Sequence, residues 1–239
     1  MRFVSLVMCL TVLAVPPVVA GDLYDDYDEI LSTAVQGELV DYSLIQKQYK
    51  RSLDKVLDDF SRVDPAGLET DDRMAFLINL YNATMIKAVV EHDTSDYSPA
   101  DDGFKVFKEE RVRLFGGTIS LDKLENDIIR PDFSDPRIHV ALVCGARSCP
   151  PILPRAYRGP NLDRELNSNM RAFFADENRN VIDVEKRELR LSQILEWFAD
   201  DFGGRDHLAV FVDRWVDPSV GGFKVSFITY SWELNSLEK

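Results

Sequence analysis

Several things are in short supply in this sequence, and each shortage excludes something. Beyond residue 20 no apolar run is long enough to span a bilayer, which takes about 20 residues, so stable membrane insertion of the remaining chain is not expected. Positive charge is outnumbered: 28 Lys and Arg face 41 Asp and Glu, for a net charge of −13. Such a surface repels phosphate backbones and anionic lipid, which argues against nucleic acid and membrane surfaces as partners. Histidine and cysteine each occur three times. No segment has the spacing of a recognised zinc site, and no metal or other cofactor is expected. Internal repeats and low-complexity linkers are also missing.

What is there begins at Met1. Arg2 is the only charge before Asp22, an apolar run follows from Phe3 to Val15, and Val18 and Ala20 are small residues at the −3 and −1 positions of a cleavage site. That is the pattern of a secretory signal at residues 1–20, and Pro16-Pro17 would break a membrane helix at its end. The expected location is periplasmic or secreted. Residues 21–239 then form a single acidic domain, with N-terminal helices in 24–63 and a core in 70–235.

Tyr24 to Val35 reads as a first helix. Ser43 and Gln46 form a capping-box pattern ahead of a second, which Asp64-Pro65 ends. Thr70 is placed to cap a third, Asp71 to Glu91. Its apolar residues cover nearly the whole circumference, the mark of a buried central helix. Asn79 and Asn82 interrupt it at i, i+3 on one face. They either tie the helix to a neighbouring loop or line a binding site. A Gly116-Gly117 turn suggests a hairpin, and Ser120 caps a short helix from Leu121 to Arg130. Arg137 to Cys144 alternates as a strand, with loop from Gly145 to Pro154. Asn161 is read as the cap of a helix through Phe174. A second hairpin at 181–191, helices at 193–202 and 206–216, and a closing strand at 225–230 complete the chain. The fold class is α+β, with the buried central helix packed on a small, mainly antiparallel sheet and surrounded by further helices.

The residues able to carry chemistry concentrate in the middle third. Without the signal, two cysteines remain, Cys144 and Cys149, separated by Gly-Ala-Arg-Ser. In an oxidising compartment a disulfide ranks first, a reactive thiol second and a metal site with His139 third. Of the two thiols Cys149 is the better nucleophile candidate, since it follows Arg147 in the loop after the His139 strand. Glu125 could orient His139. Glu125 and Arg130, at i, i+5, share a helix face poorly. Arg137 and Arg147 join Asn79 and Asn82 as candidate binding residues. Trp197-Phe198 and Tyr230-Ser-Trp232 read as core or groove lining.

The blocks Ala75-Phe-Leu-Ile-Asn-Leu-Tyr-Asn-Ala83, Ser120-Leu-Asp-Lys-Leu-Glu125 with Ile129-Arg130, and Asp135-Pro-Arg-Ile-His-Val-Ala-Leu-Val-Cys-Gly-Ala-Arg-Ser-Cys-Pro-Pro151 resemble the family called domain of unknown function 547. Ser192-Gln-Ile-Leu-Glu-Trp-Phe, Asp200-Asp-Phe202 and Tyr230-Ser-Trp-Glu-Leu-Asn235 look like its later blocks. The resemblance implies a distant likeness to the papain-like and transglutaminase-like group, with a cysteine opening a central helix and a histidine on a strand. His139 fits that histidine. The central helix carries Asn79 and Asn82 where a cysteine would be wanted, and Asn126 stands where many relatives have a histidine.

Two functions follow as expectations. One is an exported hydrolase or transferase acting on peptide, amide or thioester bonds, with His139 as acid/base, Cys149 as nucleophile and Glu125 in support. The other is a binding or assembly module on the same scaffold, holding a structural Cys144–Cys149 disulfide. In either case the partner is a peptide or small molecule.

Overall fold

The computed structural model describes residues 23–92, 97–114 and 116–237. The expected signal at 1–20 lies outside the described residues. The fold is α+β, and buried apolar residues from Tyr24 to Leu234 form one core cluster.

Helix α1 (Asp25–Ala34) packs against the helical segment 42–60 (α2). Asp41 caps α2, its carboxylate accepting the Leu44 N–H at 2.7 Å. The expected Ser43–Gln46 box does not form. Ser43 is buried inside the first turn, and Gln46 donates its amide to the Val90 carbonyl at 2.9 Å, fastening α2 to the end of the next helix.

That next helix, α3 (Thr70–Val90), is central to the core. Thr70 is already helical rather than a cap. Every residue from Met74 to Ile86 is buried. A fully buried large aliphatic side chain contributes about 1.5–3 kcal/mol, so this helix is held by packing rather than propensity. Phe60 and Phe76 meet edge to face at 5.5 Å between α2 and α3. The principal neighbours of α3 are α2 and α5 (Gly159–Ala175), followed by the helical residues 121–129 and strand β1 (Glu110–Leu114).

Strand β1 pairs antiparallel with β2 (Gly117–Ser120) as the expected hairpin. Ser120 caps the following helical segment 121–133 (α4), accepting the Lys123 N–H at 3.1 Å. Within α4, Leu124–Ile129 is a π-helical turn. Residues 137–144 are not a strand. Pro136–Val140 is a 3₁₀ turn started by Asp135, whose carboxylate accepts the Arg137 N–H at 2.9 Å. An Asx cap followed by Pro at the first helical position favours a helical start over the apparent alternation. Helix α5 starts at Gly159, two residues before the expected Asn161 cap, and the Asn161 side chain accepts from Arg164 instead. A Cβ at Gly159 would collide with the Asp72 carboxylate, so the start of α5 can sit against the start of α3 only as glycine.

A three-stranded sheet has the order β3 (Val181–Asp183), β4 (Glu188–Ser192), β5 (Lys224–Ile228), antiparallel at the first pairing and parallel at the second. Between β4 and β5 run α6 (Gln193–Trp197), a 3₁₀ turn Ala199–Phe202 and α7 (Leu208–Val212), both helices shorter than expected. No helix among the described residues is long and apolar enough to cross a membrane.

Candidate active site

The C-terminal segment holds the loop that follows the 3₁₀ turn. Two backbone hydrogen bonds tie them: Asn235 donates its N–H to the Gly145 carbonyl at 2.9 Å, and Arg147 donates to the Glu233 carbonyl at 2.7 Å. From below, the buried Arg179 guanidinium donates to the carbonyls of Cys149 and Arg147. Gly145 has φ +77°, a left-handed conformation that redirects the backbone immediately after Cys144.

This loop closes one side of a cavity of about 340 Å³. Its walls are mostly apolar and rich in aromatic rings, with Tyr81, Phe107, Trp197, Phe198, Tyr230 and Trp232 among them, and Trp197 is 46% exposed at the mouth. The chemistry-bearing groups in it are Glu125, His139, Cys144 and Cys149, with Lys108, Asp122 and Asn126 also lining it.

His139 is buried between rings and carboxylates. It stacks on Phe198 at 4.1 Å. Its Nε2 is 2.7 Å from Asp201 Oδ2, and its Nδ1 is 3.8 Å from Glu125 Oε1. Arg130 grips Asp201 with two hydrogen bonds, Nε to Oδ2 at 2.7 Å and Nη2 to Oδ1 at 2.9 Å. The His139 hydrogen bond, and then that from Arg130, holds the Asp201 carboxyl far below the usual range. Glu125 accepts from the Tyr81 hydroxyl at 3.2 Å, and burial, opposed by His139, pushes its carboxyl up. The π-helical turn makes this grouping possible. At 3.6 residues per turn, positions five apart diverge. Here the Arg130 N–H bonds the Glu125 carbonyl, an i→i+5 link, which rotates the two side chains onto the same side. The expectation that they share a face poorly therefore fails for a local geometric reason.

The cysteines are free thiols in this structure, so the expected disulfide is not formed. Their surroundings favour the other sulfur than the one expected as nucleophile. The Cys149 sulfur accepts the Cys144 N–H at 2.9 Å and is buried; burial, then Cys144, pushes its thiol well up. Cys144 is partly exposed and 3.1 Å from the Tyr230 hydroxyl. Burial opposes its ionisation, but hydrogen bonds from Cys149, Tyr230 and the Ala146 backbone outweigh it and bring the Cys144 thiol down. Burial keeps Tyr230 itself a phenol. Cys144 is thus the better thiolate.

The asparagines stand outside the cavity lining. Asn79 exchanges two hydrogen bonds with the backbone of Tyr157, at 2.8 and 2.9 Å. Asn82 donates to the Ala141 carbonyl and accepts the Val143 N–H, both at 2.9 Å. Each spends its amide as a clamp on a loop, not on a ligand. Arg137 is engaged by Asp135, Asp163 and Asn167, away from the cavity. Arg147 contributes its backbone to the loop pairing and does not line the cavity. Sequence reasoning missed Asp201, Tyr81 and Tyr230 as members of the site. Asp201 follows an equally acidic Asp200, and nothing in their spacing distinguishes the two.

Residues 65–174 match a family model described as protein of unknown function, DUF547. That match covers the central part of the chain and supports assigning this segment to the family. The DUF547 segment contains Glu125, Arg130, His139, Cys144 and Cys149, while Asp201 and Tyr230 come from beyond it. No curated protein and no solved structure matches the chain.

Proposed function

We propose that this protein is an exported thiol-dependent hydrolase or acyl transferase acting on peptide, amide or thioester carbonyls. The observation that carries this reading is a partly exposed thiol, Cys144, set 3.1 Å from the Tyr230 hydroxyl in the same aromatic-rich cavity as a half-buried carboxyl, Glu125. A cavity with few polar groups and perturbed acidities is where such chemistry is favoured.

The Cys144 thiolate attacks the carbonyl carbon, forming a carbon–sulfur bond while the carbonyl π pair moves to oxygen. The Tyr230 hydroxyl is placed to donate to a developing oxyanion near the sulfur. Glu125, whose carboxyl burial pushes up, gives its proton to the leaving amine or thiol as that bond breaks. Water or an acceptor nucleophile then attacks the thioester with Glu125 as base, releasing Cys144. His139 acts through Glu125, as a positioning residue fixed by Asp201 and Arg130. The papain-like arrangement enters in altered form: the thiol comes from the loop after His139, not from the start of the central helix.

The test is an intact-mass search for an acyl adduct on the chain beginning at Gly21, using thioester and activated-amide probes with apolar acyl groups. The adduct should form on Cys144 and vanish in Cys144→Ala, with turnover falling by about a thousandfold or more. Equal turnover by Cys144→Ala would overturn the reading. Export is tested by N-terminal sequencing of fractionated cells: a periplasmic or secreted chain starting at Gly21 supports it, and a cytosolic chain retaining Met1 sinks it.

One observation favours a binding module. Both ring nitrogens of His139 face carboxylates, and among the described residues no thiol is a hydrogen-bond partner of it. On that reading the wild type would bind an apolar ligand in the cavity, form no acyl adduct, and lose nothing in Cys144→Ala.

A further inference from the structure

The paired thiols support a second activity that does not depend on acyl transfer. We propose that Cys144 and Cys149 form a two-thiol redox site that reduces organic hydroperoxides admitted to the aromatic cavity, Cys144 attacking the peroxide and Cys149 closing the disulfide.

Three features of the geometry carry this. Both sulfurs line the same cavity, so the oxidant and the second thiol are reached from one side. Cys149 Sγ already lies 2.9 Å from the Cys144 backbone nitrogen, within side-chain reach of the first sulfur. The intervening loop is anchored at both ends, by Arg179 on the Cys149 carbonyl and by the Asn235 N–H on the Gly145 carbonyl, so the pair stays together without a backbone excursion. The division of labour follows from environment. Cys144 is the partly exposed sulfur, with Tyr230, the Cys149 thiol and a backbone N–H favouring its thiolate, whereas Cys149 is buried. A thiolate that is accessible and has a neighbouring thiol is the arrangement that forms a sulfenic acid and then resolves it.

The chemistry balances. The Cys144 thiolate attacks the terminal peroxide oxygen, the O–O bond breaks, and the departing alkoxide takes a proton to leave as alcohol. The sulfur is now a sulfenic acid, oxidised by two electrons. The Cys149 thiol attacks that sulfur, releasing water and forming the disulfide. An external dithiol reductant returns both thiols by exchange. The mostly apolar walls, including Trp197, Phe198 and Trp232, select a hydroperoxide with an apolar organic group over hydrogen peroxide.

The experiment uses the full chain without residues 1–20, reduced and then exposed to cumene hydroperoxide, with intact mass and thiol alkylation as readouts. The wild type should lose two hydrogens and both alkylatable thiols, and dithiothreitol should restore them. Cys149→Ser should stop at a sulfenic acid on Cys144 that a cyclic 1,3-dione traps. Cys144→Ser should not react at Cys149. Hydrogen peroxide should act about tenfold more slowly or worse, the factor that about 1.4 kcal/mol of discrimination gives. Wild-type protein that keeps both thiols, sulfenic acid found first on Cys149, or equal rates with the two peroxides would each overturn the proposal. The mass readout needs no acyl substrate, so loss of this activity and loss of acyl transfer are separately visible. The wild-type measurement stands even if a serine variant fails to fold.

Discussion

Two carboxylates stand on either side of His139, and their surroundings drive their protons in opposite directions. On the outer side, Asp201 takes a hydrogen bond from His139 and a bidentate grip from Arg130, and its carboxyl is held far down. On the cavity side, Glu125 is half-buried against Tyr81 with Nδ1 of His139 at 3.8 Å, and burial pushes its carboxyl up. Asp201 does not line the cavity, and Glu125 does. Charge compensation fixes the histidine from outside, while desolvation leaves a proton available inside. That is the division expected where one acid positions and the other reacts.

The comparison is broken most severely from the outer side. Asp201→Ala strips the buried imidazole of its 2.7 Å partner and leaves Arg130 uncompensated. A loss of about 1–3 kcal/mol is expected at neutral pH, read by denaturant titration. The sign with pH follows from the lowered carboxyl. Asp201 stabilises the native state above the usual aspartate range, and that contribution is lost as pH falls toward its folded value. Wild type and variant should therefore converge in acid. An unchanged gap from neutral pH to strong acid would show that Asp201 acts through packing alone.

Glu125→Gln tests the inner side and should have a smaller effect on stability, of the opposite sign. A carboxyl raised in the folded state contributes stability that is full below the usual glutamate range and is lost as pH rises through its folded value. The amide cannot ionise, so the variant should lack that decline and equal or exceed the wild type at neutral pH. Acyl transfer should fall in the same variant. A variant less stable than wild type at every pH would mark Glu125 as a structural ligand of His139 and Tyr81, with no spare proton.

How much of this was legible in the sequence depends on whether the signal was local. The all-round apolar character of residues 75–90 was enough to place a central helix, because burial on every side leaves its mark around the whole circumference. The hairpin and the caps at Ser120 and Ser192 were likewise readable, although Gly117 pairs with Leu114 within the strands instead of sitting in the turn. The run 137–144 was not, since a short apolar segment buried on all sides looks the same whether extended or 3₁₀, and the Asp135-Pro136 start signal was outweighed by alternation. The site was half legible. Glu125, His139 and the cysteine loop meet, but the choice between the thiols rests on Tyr230, 86 residues away from Cys144. The grouping of Glu125 with Arg130 needs a π-helical turn, which no residue pattern in Leu124–Ile129 announces.

The comparison is sharpened by the smallest change, Tyr81→Phe. Tyr81 sits on the buried central helix, and its hydroxyl, 3.2 Å from Glu125 Oε2, is a neutral donor to that carboxylate. Removing the hydroxyl deletes no ring packing, so stability should change by no more than about 0.5–1.5 kcal/mol. The hydrogen bond favours the ionised form of Glu125, since it opposes the effect of burial. Without it the carboxyl should rise further. A ¹³C titration of the Glu125 carboxyl, compared between wild type and variant, reads this directly, with Asp201 as the internal control. Asp201 is held by Arg130 and His139 and makes no hydrogen bond to Tyr81, so its titration should not move. If both carboxyls shift together, the two sides of His139 respond as one coupled network and the separation into a positioning acid and a reacting acid does not hold. If Glu125 alone moves upward, the acidity of the cavity is set by its own lining, through desolvation and a single tyrosine hydroxyl, independently of the ion pair behind the histidine.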